Sequence, residues 1–102
     1  MEYDLIVNVE AQLEAKDAVD YYDGIDPKLG ERFFKELSET YQKLQSNLQH
    51  YSFVFTTRKS NIRDVKLHSF PYLIIFEIRG QKVVVLSVMN THKRPKKFKR
   101  RS

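Results

Sequence analysis

Arg63, Lys66 and His68 fall within six residues of one another, and His92 and Arg94 form a second group near the end of the chain. Arginine and lysine neutralise charge that builds on phosphate oxygens, and an imidazole moves a proton near neutral pH. These residue types could therefore hold and cleave a phosphodiester without a metal. Further cations, Arg58, Lys59, Arg79, Lys93, Lys96 and Lys97, could position a nucleic-acid strand. Phe98 could stack on a base. Each has a plainer reading. Arg63 alternates with Val65 and Leu67, so it could bury its stem beside them or pair with an acid such as Glu77. Lys66 reads as solvent-facing, and His68, ahead of the Ser69-Phe70-Pro71 bend, as a surface histidine.

Other chemistries find little support. The chain has no cysteine, and His50, His68 and His92 lack the spacing of a metal site. Gly24, Gly30 and Gly80 are scattered, so no glycine-rich phosphate loop exists. Asp20 with Asp23, and Glu36 with Glu39, are carboxylate pairs at helical spacing that read as solvated faces. No metal or cofactor is expected.

Charge is divided along the chain. Residues 1–39 hold eleven acids and four bases, whereas residues 40–102 hold fourteen bases and two acids. The ending, NTHKRPKKFKRRS, has seven Lys and Arg and no acid. Such a block is a solvated arm suited to a polyanion or an acidic protein segment. The expected organisation is one domain over residues 1–92 and a basic tail over residues 93–102. The first residues lack the basic-then-apolar pattern of a signal peptide, and no apolar run could span a bilayer. A soluble, cytoplasmic protein with no membrane partner is expected.

The elements that must position these residues are legible in the periodicity. Tyr3, Leu5, Val7 and Val9 alternate with polar neighbours, which predicts a strand. From Glu10 the apolar step becomes three or four residues, predicting an amphipathic helix that stops near Gly24. Asp26-Pro27 restarts a helix, with aspartate as cap and proline in the first turn. Leu29, Phe33, Leu37, Tyr41, Leu44 and Leu48 then mark one buried stripe. Four strands follow, around Tyr51–Phe55, Ile62–Leu67, Tyr72–Ile78 and Val83–Met89. The last, VVVLSVM, is apolar on both faces, which suggests a central strand. Gly80-Gln81 suits a two-residue hairpin turn with glycine first. The order β-α-α-β-β-β-β predicts an α+β fold, a helical hairpin packed on one face of a mostly antiparallel twisted sheet. The open face is expected to gather the cations.

The segments AVDYYDGIDPKLGERFFKEL, NIRDVKLHSFPYLIIFEI and KVVVLSVMNTHKRP, followed by the basic end, resemble the RelE/ParE superfamily. These are toxins of type II toxin–antitoxin pairs, also called plasmid-stabilisation proteins. The sharpest points are LGERF, FPY ahead of an apolar strand, and the histidine-to-Arg-Pro exit of the last strand. The resemblance covers nearly the whole chain. It implies a toxin silenced by a cognate antitoxin, acidic where it grips. One branch cleaves ribosome-bound mRNA without a metal, which is the activity expected first for this chain, and the other, the alternative, inhibits DNA gyrase without catalysis. For an endoribonuclease, Arg63 and Arg94 would neutralise the phosphate, and His92 or His68 would transfer protons. Lys59 and Lys66 would position RNA. The ribonuclease branch tends to carry an arginine after the aromatic that begins the next-to-last strand; here that position is Leu73. It also tends to carry a tyrosine near the end, where this chain has only Phe98. A member retaining only antitoxin binding is the third alternative.

Overall fold

The computed structural model describes residues 3–46 and 62–92. Its elements are β1 (Asp4–Val7), α1 (Val9–Ile25), α2 (Pro27–Ser46), β2 (Ile62–Lys66), β3 (Tyr72–Arg79) and β4 (Lys82–Asn90). The strand expected near residues 51–55 lies outside the described residues, as does the tail.

The first strand is shorter than its alternation implies. Asn8 accepts the Ala11 N–H at 3.0 Å and caps α1, so Val9 opens the helix and stands exposed. A side-chain oxygen at this position satisfies one of the helix's orphan donors, and that local bond overrides the strand pattern. Gly24 does not end α1. The helix runs through Ile25 and stops where Asp26 turns extended. Asp26 then caps α2, its carboxylate accepting the Lys28 N–H at 3.0 Å, with Pro27 first in the helix. One residue therefore ends one helix and starts the next. The two helices run antiparallel, because Tyr22 of α1 stacks on Phe33 of α2 with centroids 5.6 Å apart, while Val19 lies beside Leu37 further along.

The sheet order is β1-β4-β3-β2, with β1 parallel to β4 and the other pairs antiparallel. The VVVLSVM segment occupies the inner strand β4. Gly80 adopts φ of 58° and Arg79 pairs with Lys82, a tight hairpin with glycine at its first turn position.

Both helices cover one face of the sheet. Phe33, Leu37, Ala11 and Ala18 pack there with Ile74, Phe76, Val83 and Val85, all buried. Phe33, Phe70 and Tyr72 form an edge-to-face aromatic cluster, with Phe33 to Tyr72 centroids at 5.0 Å. The LGERF and FPY phrases thus meet in the core. Gly30 lies where α2 crosses α1, and a side chain there would displace the Asp23 carboxylate.

Between Ile75 and Phe76 the register with β4 slips by one residue. Such a bulge removes a ladder partner from one strand. Just past it, where the pairing of β4 with β1 has ended at Val85, one carboxylate oxygen of Glu14 of α1 accepts the Val88 N–H and the Ser87 hydroxyl, each at 2.9 Å.

Candidate functional site

β2 carries three of the candidate residues or leads to them. Arg63 pairs with Phe76 and Val65 with Ile74, so both project towards the helices. Phe76 is fully buried, and the Arg63 Nε is itself buried. Lys66 pairs with Leu73 and leaves the sheet on the other side, its side chain exposed. The two cations of this strand thus point to opposite faces.

Among the described residues the expected gathering of cations on the open face is met only in part: Lys66, Arg79 and Lys82 lie there, and Arg63 does not. The helix-free side is apolar at its centre, where Ile6 pairs with Val84, Leu73 with Met89, and Ile75 is buried. Its cations Lys66, Arg79 and Lys82 are matched by Asp4, Asp64 and Glu77. Alternation decides this: cross-strand partners share a face, and one step along a strand reverses it. Burial against its apolar neighbours pushes the Asp64 carboxyl above its ordinary value, partly offset by its own backbone N–H. Arg79 is held at the hairpin by Glu77, with Nη2 to Oε1 at 2.8 Å and Nε to Oε1 at 2.9 Å. Glu77 is therefore the partner of Arg79. It faces away from Arg63, because it pairs with Ile62.

The two described histidines flank the corner at the start of β3. His68 follows β2, where the Leu67 N–H donates to the Tyr72 carbonyl at 2.9 Å. His92 follows β4, where Asn90 accepts its N–H at 2.8 Å and Thr91 donates to the Pro71 carbonyl through N–H and hydroxyl. Both are exposed. β2 and β4 lie on opposite sides of β3, so the chains bearing them are about 10 Å apart at 4.8 Å per strand. Arg63 lies five residues of chain from His68, about 16 Å if extended. The fold brings Lys66 and His68 together and leaves Arg63 and His92 apart from them. Arg58, Lys59, Lys93, Arg94, Lys96, Lys97 and Phe98 lie outside the described residues.

A groove of about 600 Å³ between α2 and β2 has Lys66 and His68 at its rim, the Lys66 side chain pointing away to the helix-free face. Its helical wall carries Arg32, Lys35, Glu39 and Lys43, and Val65 lies at its base. Glu36 anchors the β2–β3 corner. Its carboxylate accepts the His68 N–H and also the Ser69 N–H, the latter at 3.0 and 3.2 Å. The cations of α2 escaped the sequence reading. Their steps of three and eight residues were the available signal, since such steps place Arg32, Lys35 and Lys43 along one helix flank.

A second groove, of about 640 Å³, runs between α1 and α2 beneath the exposed ring of Phe34. Tyr41 lines it. Burial, with a smaller contribution from Glu14, pushes the Tyr41 phenol up to about 12. Its hydroxyl is buried with no hydrogen-bond partner among the described residues.

Among the described residues no cluster of His, Cys, Asp or Glu is suited to a metal ion, and no helix is long and apolar enough to cross a membrane.

Comparison with known proteins agrees with this architecture. No curated protein sequence matches the chain. A solved structure, described as the chromosomal ParDE TA system from P. aeruginosa, superposes with a TM-score of 0.74. It is 15% identical and the match covers 87% of this chain and 96% of that one, a likeness of fold. The family model for the ParE toxin of the type II toxin-antitoxin system, parDE, matches residues 5–95. With nearly the whole domain spanned by that match, the chain belongs to the ParE toxin family.

Proposed function

We propose that this chain is the growth-arresting member of a toxin–antitoxin pair, silenced by a cognate antitoxin, and that it inhibits DNA gyrase by binding rather than by cutting mRNA. The observation that carries the choice is the spread of Arg63, His68 and His92. Cleavage through the 2′-hydroxyl needs a base, an acid and a charge-neutralising cation around one phosphate. Arg63 projects to the helix side midway along the sheet, whereas the histidines stand exposed at the Tyr72 end. Leu73 supplies no positive charge and shares a face with apolar Met89. A binding inhibitor needs none of these groups to converge.

The ribonuclease reading keeps one favourable observation. Lys66 and His68 border the same groove, which has cations on its opposite wall. In that reading His68 moves a proton, Lys66 positions RNA, and Arg63 with Arg94 and His92 acts from outside the groove.

Purified toxin, added to gyrase with relaxed plasmid and separately to translating ribosomes, decides between the two. Loss of supercoiling with intact mRNA is expected. Discrete cuts in ribosome-bound mRNA, abolished by His68→Ala, would establish the other reading. Growth arrest relieved by co-expression of the neighbouring reading frame tests the pairing itself.

A further inference from the structure

Ile75 is 1% exposed, yet it stands on the side of the sheet that carries no helix. It is buried apart from the helix-side core that gathers Phe33, Leu37, Ile74 and Phe76. Its cross-strand partners Asp64 and Ser87 flank it, and Leu73 and Glu77 lie two residues to either side on the same face. Such neighbours stand upright beside a side chain and enclose it laterally. Sealing it from water takes a second layer, about 10 Å above the sheet. The same face is open at its β1 edge, where Ile6 is 43% exposed. Asp64 is half-buried beside Ile75, and among the described residues no cation forms an ion pair with it. Something therefore covers the face over β3, and a cation in that cover would find a carboxylate to pair with.

We propose that the chain's own basic arm, residues 93–102, turns back over this face, seats Phe98 on Ile75 and Leu73, and sets one of its cations at Asp64. The arm starts at a suitable place. Thr91 and His92 form a turn where β4 ends, and the Thr91 N–H donates to the Pro71 carbonyl at 2.8 Å. Tyr72 pairs with Asn90, so Ile75 lies three residues further along β3, about 10 Å away. Phe98 follows His92 by six residues, a reach of about 20 Å when extended, which leaves slack for a bend at Pro95. The composition fits as well. Phe98 is the one aromatic of the arm, and Lys97 and Lys99 beside it can lay their stems on apolar surface while their charges reach outward. With seven Lys and Arg and no acid, the arm brings nothing that repels Asp64. Residues 47–61 suit the place less well. The alternation of Tyr51, Phe53 and Phe55 is that of a strand, whose position is beside β2 in the plane of the sheet rather than above it. The contact lies within one chain, so it holds whether gyrase or mRNA is the target. Its consequence is that the arm must leave Ile75 and Asp64 before all its cations can grip a polyanion.

The chain has no cysteine, so one introduced thiol is unique and the full chain can be used. A nitroxide attached to Lys99→Cys is expected to broaden the amide signals of Leu73, Ile75 and Asp64. It is expected to spare Asp17 and Asp20, which are exposed on α1 across the sheet. Nitroxide-bearing protein mixed with unlabelled, isotope-enriched protein should leave the enriched signals sharp, because the contact is made within one chain. Asp64→Asn should weaken the broadening, since it removes the charge that a cation of the arm meets. A second measurement reads the cover directly. Ile75→Cys puts a thiol at the covered position, and its reaction with a thiol reagent is expected to be slow. Adding Phe98→Ala should speed that reaction by about tenfold, because the thiol then spends more time open to solvent. Unchanged circular dichroism confirms the fold of each variant. Broadening that misses β3, that spreads evenly over the protein, or that appears in the mixed sample would overturn the proposal. So would a reaction rate at position 75 unchanged by Phe98→Ala, which would assign the cover to residues 47–61.

Discussion

Arg63 stands directly across the β2–β3 ladder from Phe76, a ring with no exposed surface. A cation at this position extends its stem along the core boundary on the helix-bearing side. The stem and the charge are separable. Arg63→Met retains the stem and should leave stability within about 1 kcal/mol of the parent. Arg63→Ala should cost about 1–2 kcal/mol through lost packing. Urea unfolding of both variants measures the difference. If the protein acts by binding gyrase, Arg63→Met should also retain inhibition of supercoiling.

Glu14 ties α1 to β4 by accepting the Val88 N–H and the Ser87 hydroxyl through one oxygen. Glu14→Ala leaves a half-buried N–H without its acceptor and should cost about 1–3 kcal/mol. Glu14→Gln keeps an acceptor oxygen and should cost less than the alanine variant. Equal losses for the two variants in urea titrations would show that the bond contributes little.

Glu36 holds the corner that presents His68. Its loss in Glu36→Ala should free the His68 and Ser69 amides to exchange with solvent faster than in the parent. The bonds are on an exposed corner, so the global cost should be about 1 kcal/mol. Amide exchange followed residue by residue distinguishes this local opening from general destabilisation.

Tyr41 links the apolar groove to pH. Its phenol is raised from 10.0 to about 12 by burial, so folding favours the neutral form. The stability it provides is therefore complete below pH 10. It falls as the pH climbs towards 12, because the unfolded chain then releases its proton first. Tyr41→Phe should flatten this alkaline loss. At pH 7 it should leave stability unchanged or raise it by up to about 1 kcal/mol, since the hydroxyl it removes is buried without a partner among the described residues. Thermal melts of both proteins at pH 9 and pH 11 compare the slopes.

Much of the fold was legible in the chain because it is set by neighbours in sequence. The stripe from Leu29 to Leu44 fixes which side of α2 is buried, and Phe33, Leu37 and Leu44 are indeed core. Asp26-Pro27 starts α2, and Gly80-Gln81 turns the hairpin, through conformations that these residues adopt locally. The double-sided apolarity of Val83–Met89 identified an inner strand. Where a local preference was misjudged, a competing local bond explains it: the Asn8 cap cuts the first strand short, and the extended Asp26 lets α1 pass Gly24.

The site was less legible. Alternation placed Arg63 with Val65 and Leu67, but a strand does not specify which of its faces the helices will cover. That depends on how β2 registers against β3 and on where α1 and α2 settle. Likewise, Glu36 meets His68 across thirty-two positions, and Glu14 meets Ser87 across seventy-three. Periodicity and turn chemistry act over a few residues and so determined the elements. Strand register and helix placement are collective outcomes of packing, and they alone decided which charges share a groove and which are divided by the sheet.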